Sequence, residues 1–323
     1  MKPSRLGVIG VGIWGRNHAR VLAGLADADL VGLYDPDEAR AREIAGEHGC
    51  RAFASLPDLI ERTEAVVVAA PTTHHHSVTL EALAAGNHVL VEKPIAFTLQ
   101  EADEMIAAAG RADRVLAVGH LERFNPSIEA LIETTNNPRF VEVHRLSPFS
   151  VRGLDVSVVL DLMIHDIDVL LRVVKSPLAE VRSVGVPVLS RAIDIANVRL
   201  RFENGCVANV TASRISLSKT RKIRIFEPDR YVSVNSQTQE IVAYRRTGPS
   251  PAPEELTAEA FGKLVERQNL SRPQEEPLQR ELGRFLAAVR GEEKRVVPGE
   301  EGREALAVAL RILDEMELRE EIG

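Results

Sequence analysis

Gly10-Val11-Gly12-Ile13-Trp14-Gly15 is the stretch whose reading decides the fold. It has the spacing GxGxxG, follows the apolar run Leu6–Ile9 and precedes a helical pattern that starts near Arg16. In that context each glycine has its own reason. Gly10 permits the tight turn out of a strand, Gly12 lets a pyrophosphate come against bare backbone, and Gly15 lets helix and strand pack closely. The helix N-terminus that follows attracts the phosphate charge. Ile13 and Trp14 complete the expected cofactor loop, Trp14 as a packing or cofactor-edge residue rather than a nucleic-acid stacking platform. Asp35 ends the next strand pattern 20 residues after Gly15, the distance at which a carboxylate bonds adenosine ribose hydroxyls. It would also repel a 2′-phosphate, and Pro36-Asp37-Glu38 places no cation directly after it. NAD is therefore expected in preference to NADP, with Arg40 and Arg42 the nearest opposing charges.

Working outward, strand-like runs at Leu30–Tyr34, Ala65–Ala69, His88–Val91 and Val115–Val118 alternate with Ala- and Leu-rich amphipathic segments, the pattern of βα units on a parallel sheet. Gly86 closes one helical segment, and Thr98-Leu99-Gln100-Glu101 has the spacing of a capping box that opens the next. Past Phe140 the pattern predicts a helix near 156–174, then strands around 181–189, 194–203, 206–216, 221–226, 230–235 and 240–245, with a two-residue hairpin turn at Asn204-Gly205. Residues 247–277, rich in proline and charge, read as an exposed excursion. Two amphipathic helices follow, striped by Leu278, Leu282, Phe285 and Val289, and by Leu306, Leu310, Leu313 and Met316. The fold class expected is α/β: an N-terminal Rossmann dinucleotide-binding domain over 1–122, and over 123–323 a C-terminal α+β domain with an open, largely antiparallel sheet for substrate binding and oligomerisation. The last helices are candidates to pack back on the first domain.

The 323 residues suit two domains, and 45% hydrophobic with 27% charged residues excludes a mainly disordered or fibrous chain. No apolar run approaches the ~20 residues of a membrane span, and no signal-peptide pattern stands at the N-terminus, so a cytoplasmic protein is expected. The net charge of −7 argues against wholesale binding to nucleic acid or anionic membrane. Cys50 and Cys206 have no metal-ligand spacing, and the consecutive His74-His75-His76 are poorly placed to converge on one ion, so no metal is expected. The basic run from Arg214 to Arg246 reads chiefly as solvated strand faces or a subunit interface.

Several further motifs occur in order. Ala70-Pro71-Thr72-Thr73-His74-His75, Glu92-Lys93-Pro94, Val118-Gly119-His120-Leu121-Glu122-Arg123-Phe124-Asn125-Pro126 and Asp161-Leu162-Met163-Ile164-His165-Asp166-Ile167-Asp168 resemble, over essentially the whole chain, the glucose–fructose oxidoreductase and inositol dehydrogenase family, Gfo/Idh/MocA. The resemblance implies that Pro71, Thr72, His75, Glu92 and Lys93 lie at the cofactor, His75 near the nicotinamide side. Thr72 stands where the family usually has asparagine. It implies that Lys93, Asp161 and His165 are catalytic and also touch substrate. Arg123, Asn125 and Arg145 are expected to join them there, the arginines at a substrate diphosphate. The run from His120 and the segment Val143–Pro148 look like the nucleotide-sugar branch. That implies NAD-dependent oxidation of a sugar hydroxyl, foremost the 3-hydroxyl of UDP-N-acetylglucosamine, by a homo-oligomer. UDP-N-acetylglucosaminuronate or an inositol-like polyol is the alternative substrate, and a noncatalytic NAD-sensing protein the alternative class.

The residues support the helix motif on their own. At about 100° per residue in an α-helix, Asp161, His165 and Asp168 share a narrow stripe beside an apolar arc, where a carboxylate can orient an imidazole and stabilise its charged form. Asp166 is expected to point elsewhere. A helix whose Asp and His merely face solvent or cap a neighbour is the plainer reading of this segment.

Overall fold

A computed structural model of the chain describes residues 2–149, 156–248, 264–292 and 295–320. It divides into two compact units, one of residues 1–124 and 275–307, the other of 125–274 and 308–323.

In the first unit, β1 (Ser4–Ile9), β2 (Ala28–Tyr34), β3 (Arg51–Ala52), β4 (Ala65–Val68), β5 (His88–Glu92) and β6 (Leu116–Gly119) form a parallel sheet in the order β3-β2-β1-β4-β5-β6. The intervening helices are α1 (Ile13–Gly24), α2 (Glu38–His48), α3 (Leu56–Ile60), α4 (His75–Ala84) and α5 (Leu99–Ala112). The order reverses at β1, and in doubly wound sheets ligands bind beyond the strand ends at such a switch point. The capping box forms: Thr98 accepts from the Glu101 amide at 3.2 Å, and Glu101 accepts from the Thr98 amide at 3.1 Å. β1, β4, β6 and the centre of β5 are buried on nearly all their residues, which is why they read as near-continuous apolar runs. Their core of Leu6, Val8, Leu22, Leu33, Ile44, Val67 and Leu90 is completed by Leu282, Phe285 and Leu286 of a late helix, α8 (Pro277–Val289). That helix sits beyond the 1–122 span assigned to the dinucleotide domain from sequence.

The second unit holds α6 (Pro126–Thr134), α7 (Ile164–Val174) and an eight-stranded sheet. Its strands are β7 (Phe140–Leu146), β8 (Leu178–Val186), β9 (Ile195–Phe202), β10 (Val207–Ser213), β11 (Thr220–Glu227), β12 (Arg230–Asn235), β13 (Glu240–Arg246) and β14 (Val265–Asn269), in the order β14-β13-β12-β11-β7-β10-β9-β8. All neighbours are antiparallel except β7 and β10. Period-2 burial follows: Ala196, Val198, Leu200 and Phe202 are covered while Arg199 and Arg201 face solvent. The last helix, α9 (Gly299–Glu320), buries Leu306, Ala309, Ile312 and Met316, a stripe shifted from the expected Leu310 and Leu313.

Two local expectations differ. The β9–β10 loop has four residues rather than two, Glu203-Asn204-Gly205-Cys206, with Gly205 left-handed at φ 84° and its amide bonded back to the Phe202 carbonyl. Residues 265–269, expected in an irregular arm, form edge strand β14, because the polar alternation of an edge strand resembles a loop. The rest of that arm, 249–263, lies outside the described residues.

Asp194 shows how the second unit holds its turns. Its fully buried carboxylate accepts the amides of Val188, Leu189 and Ser190 at 2.9, 2.6 and 2.8 Å and the Ser190 hydroxyl at 2.7 Å. Burial alone would raise its pKa, but these donors outweigh it and hold the carboxyl at about 2, below the ordinary 3.8. Between those values the unfolded chain binds more protons, so this stabilisation is complete above pH ~4 and is lost as pH falls toward 2. Asp194→Asn is expected to lose about 2 kcal/mol at neutral pH, with a deficit that shrinks below pH 4. Urea unfolding across pH checks both.

Candidate active site

β1 ends at Ile9 and Gly10 turns the chain with φ 82°; a Cβ there would lie 2.7 Å from the Ala70 nitrogen. A Cβ at Gly15 would lie 1.8 Å from the Gly10 carbonyl oxygen, so helix and strand can approach only without one. Gly12, the N-cap of α1, is different: a Cβ there meets nothing within 4 Å. α1 has no side-chain cap and no acidic residue in its first turn, so its positive end is left for an anion. Ile13 and Trp14 beside it are 52% and 42% exposed. These residues fit the pyrophosphate of a dinucleotide.

Asp35 has a second role that its sequence position did not reveal. One carboxylate oxygen accepts the Val11 amide at 2.8 Å, fastening the glycine loop, and the other accepts the Asp37 amide at 2.9 Å. Arg40 approaches Asp35 at 3.5 Å and Asp37 at 2.8 Å, so the nearest cation is engaged by carboxylates. That arrangement suits a ribose hydroxyl better than a 2′-phosphate.

The loops after β4 and β5 are tied together by His75. Its ring is buried, with Nδ1 2.9 Å from the Pro94 carbonyl and Nε2 2.9 Å from the Ala70 carbonyl. Burial lowers its pKa against the opposing pull of those carbonyls and of Glu92. Both ring nitrogens are thus directed at backbone, and His75 braces the cofactor loops rather than presenting a free nitrogen. Pro71 and Thr72 lead into it through a 3₁₀ turn, Thr72–His74.

Lys93 is placed through its neighbour. One Glu92 oxygen lies 2.7 Å from His18 Nε2 on α1, and the other accepts the Lys93 amide at 3.3 Å. Burial would raise the Glu92 carboxyl, but the His18 bond and the charges of His18, Lys93 and His75 outweigh it and keep it below the usual range. A Cβ at Gly119 would stand 3.2 Å from the same carboxylate. His18 was not singled out from sequence; the only signal is a histidine on the apolar face of α1, shared with Ala19, Val21 and Leu22.

In the second unit Asp161 lies in a π-helical stretch, Val159–Met163, and His165 in the first turn of α7. The regular stripe expected from 100° per residue is therefore interrupted, since a π turn carries extra residues that hydropathy cannot register. Such turns recur at functional sites. Asp168 is buried, and Asp166 indeed points elsewhere, to Arg145.

Three expected substrate contacts have other work inside the fold. Arg145 is buried on β7 and clamps Asp166 with two bonds, Nε at 2.6 Å and Nη2 at 2.8 Å, fixing α7 to the sheet. Asn125 is buried, its oxygen capping α6 at the Ser127 amide (3.1 Å) and hydroxyl (2.8 Å), its amide donating to the Ser236 carbonyl at 2.8 Å. Arg123 pairs with Glu301 at 2.6 Å. Arginine and asparagine in a substrate-domain motif satisfy buried structure as readily as ligands, and sequence cannot separate the two. The structure thus assembles Lys93, Glu92, His75, Asp35 and the glycine loop within the first unit, and Asp161 with His165 within the second. Among the described residues no group of three His, Cys, Asp or Glu is placed to hold a metal ion.

Comparison with known proteins agrees with this geometry. A model described as "Oxidoreductase family, NAD-binding Rossmann fold" matches residues 4–120, and one described as "GFO/IDH/MocA C-terminal domain" matches residues 134–227. The first unit is accordingly an NAD-binding Rossmann fold. UDP-N-acetylglucosamine 3-dehydrogenase of Acidithiobacillus ferrooxidans is 38% identical over 95% of this chain and 96% of its own length. The solved structure of UDP-N-acetylglucosamine 3-dehydrogenase GnnA from that organism has a TM-score of 0.90 at 36% identity, covering 98% of this chain and 99% of that one. Myo-inositol 2-dehydrogenase of Thermotoga maritima is 30% identical over 65% of this chain and 68% of its own length.

The glycines separate by experiment. Gly12→Ala is expected to fold with stability within about 1 kcal/mol of wild type, yet to bind NAD at least about tenfold more weakly, because the new methyl occupies the phosphate approach. Gly15→Ala should instead lose roughly 1–3 kcal/mol or more from overpacking. Thermal unfolding and NAD titration distinguish them.

Proposed function

The chain belongs to the Gfo/Idh/MocA oxidoreductase family, and from that premise we propose that it oxidises the 3-hydroxyl of UDP-N-acetylglucosamine with NAD. The observation that carries this reading is the near full-length similarity to a UDP-N-acetylglucosamine 3-dehydrogenase, across both units. Bound NAD supplies the hydride acceptor. Gly12 and the N-terminus of α1 take its pyrophosphate and Asp35 its ribose, while the loop braced by His75 and Glu92 presents Lys93. On the substrate, His165 accepts the hydroxyl proton as the carbinol C–H leaves as hydride, and Asp161 orients and electrostatically supports the imidazole. Lys93 donates a hydrogen bond to the developing alkoxide. The products are the 3-keto sugar, NADH and one proton.

The place of action in this reading is the cytoplasm, where Cys50 and Cys206 remain thiols. Among the described residues no helix is long and apolar enough to cross a membrane. The working form is a homo-oligomer that associates through the sheet of the second unit. Phe140, Phe226, Tyr231 and Tyr244 stack in sequence across β7, β11, β12 and β13, with ring centroids 5.6, 4.9 and 5.7 Å apart, and such a ladder is suited to cover by another copy. Tyr231→Glu is expected to shift the mass measured by light scattering toward the monomer; an unchanged mass removes this face from the assembly.

Absorbance of NADH reads the reaction directly. UDP-N-acetylglucosamine is expected to be oxidised faster than UDP-N-acetylglucosaminuronate or myo-inositol, and a chain that binds NAD but oxidises none of them is a sensor. Lys93→Met and His165→Ala are each expected to keep NAD affinity and to lose about 10²–10⁴-fold in turnover. A variant within a few-fold of wild type loses its assigned role.

A further inference from the structure

One buried ionisable group has no part in that chemistry. Glu281 lies on the face of α8 formed with Leu278, Leu282, Phe285 and Leu286, and is 2% exposed. Among the described residues neither of its carboxyl oxygens has a hydrogen-bond partner. An unpaired carboxylate in such a place is far costlier than the neutral acid, so the side chain keeps its proton. Burial first, and the charge of Glu92 second, push its carboxyl well above the usual range.

Glu92 has the opposite tendency, since His18 holds it ionised. One core thus contains an acid and a carboxylate within electrostatic reach of each other. The carboxylate is the link from α1 to the Lys93 amide. Most other charges on α8 and on the elements packed against it are engaged elsewhere. On α1, Arg16 pairs with Glu43 and Glu47, and Arg20 with Glu276. In the 3₁₀ turn Leu121–Phe124, Arg123 pairs with Glu301 and Glu122 is partly buried; on α8 itself Arg280 pairs with Glu275.

We propose that Glu281 is a positioning residue: as a buried neutral acid it leaves Glu92 to carry the negative charge, and so preserves the bonds by which Glu92 ties the glycine-loop helix to the Lys93 backbone. Loss of the Glu281 proton adds a second negative charge to the core that β5 and α8 share. Glu92 is then repelled from the geometry that serves His18 and Lys93, and α1, whose N-terminus receives the cofactor phosphates, is loosened with it. The cofactor site therefore carries its own alkaline limit.

The sign follows from the raised pKa. The folded chain holds a proton that the unfolded chain releases, so the stabilisation is present at low pH and declines as pH rises toward the folded value. Trp14, the single tryptophan, stands in the glycine loop, so its fluorescence is the expected reporter of NAD binding. NAD titrations of the full chain and of Glu281→Gln from pH 6 to 9.5 are the test, because glutamine cannot ionise and other titrating groups cancel in the ratio. The dissociation constant of wild type relative to the variant is expected to rise roughly threefold or more between neutral and alkaline pH, and the wild-type melting temperature should fall relative to the variant over the same range. Wild type at pH 7 should also show an infrared carboxylic acid band that is lost in Glu281→Gln and shifts in heavy water; a carboxylic acid band that titrates with the alkaline limb serves if the variant does not fold. A flat affinity ratio overturns the positioning role, and an ionised Glu281 at pH 7 overturns the whole proposal. No sugar enters these measurements, so their failure is separate from failure of the substrate reading.

Discussion

The bond from the Val11 amide to Asp35 is the interaction on which the first unit turns. A dinucleotide site at a helix N-terminus must leave backbone donors uncovered, so the loop that carries them cannot be fastened by a side chain lying over them. Asp35 reaches the loop from the adjacent strand end and holds it from the side. Gly10 and Gly15 then press the loop against Ala70 and the strand, and Gly12 keeps the approach clear. The same logic extends outward, since His75 bonds the Ala70 carbonyl and the Pro94 carbonyl, and Glu92 reaches from β5 back to α1. The glycine loop and the loops after β4 and β5 are thus held through backbone, by Asp35 and by His75.

The second unit uses buried charge for a comparable purpose. Arg145 and Asp166 are matched bidentately beneath α7, and Asp194 collects three amides and a hydroxyl. Arg214, itself buried, bonds the Val156 carbonyl just ahead of the π turn. Removing one partner from such a pair leaves an uncompensated charge, so these contacts enforce a specific arrangement even where their net contribution to stability is modest. The segment bearing Asp161 and His165 is thereby held at its start by Arg214 and in its first turn by Arg145.

Much of this was legible in the sequence, for identifiable reasons. The glycine loop, Asp35, the capping box at Thr98 and the alternating strands announce themselves because local backbone geometry demands particular residue types at fixed spacing. The π turn at Val159–Met163 was not legible, since one extra residue per turn leaves the hydrophobic pattern almost unchanged. Neither was β3, two residues long, nor β7, whose mixed polar face breaks the apolar run. Arg145 and Asn125 were read as ligand contacts from the family resemblance, while their partners Asp166 and Ser236, 21 and 111 residues away, leave no local signal. His18 and Glu281 illustrate the same limit, as a lone polar residue on an apolar helix face acquires meaning only from the element packed on it.

The contribution of Leu282, Phe285 and Leu286 to the core of the first unit bears on how the chain folds. More than a hundred residues of the other unit are made before these side chains emerge, so a nascent Rossmann segment leaves the ribosome with part of its apolar surface uncovered. Loop-closure entropy must be overcome before that late helix docks, which slows the step and lengthens exposure to aggregation. The strands β8 to β13 are joined largely by local hairpins, whose pairing needs little loop closure. Both units therefore wait for late helices, the first for α8 and the second for the part of α9 from residue 308 onward, where Ser183 bonds the Ile312 carbonyl.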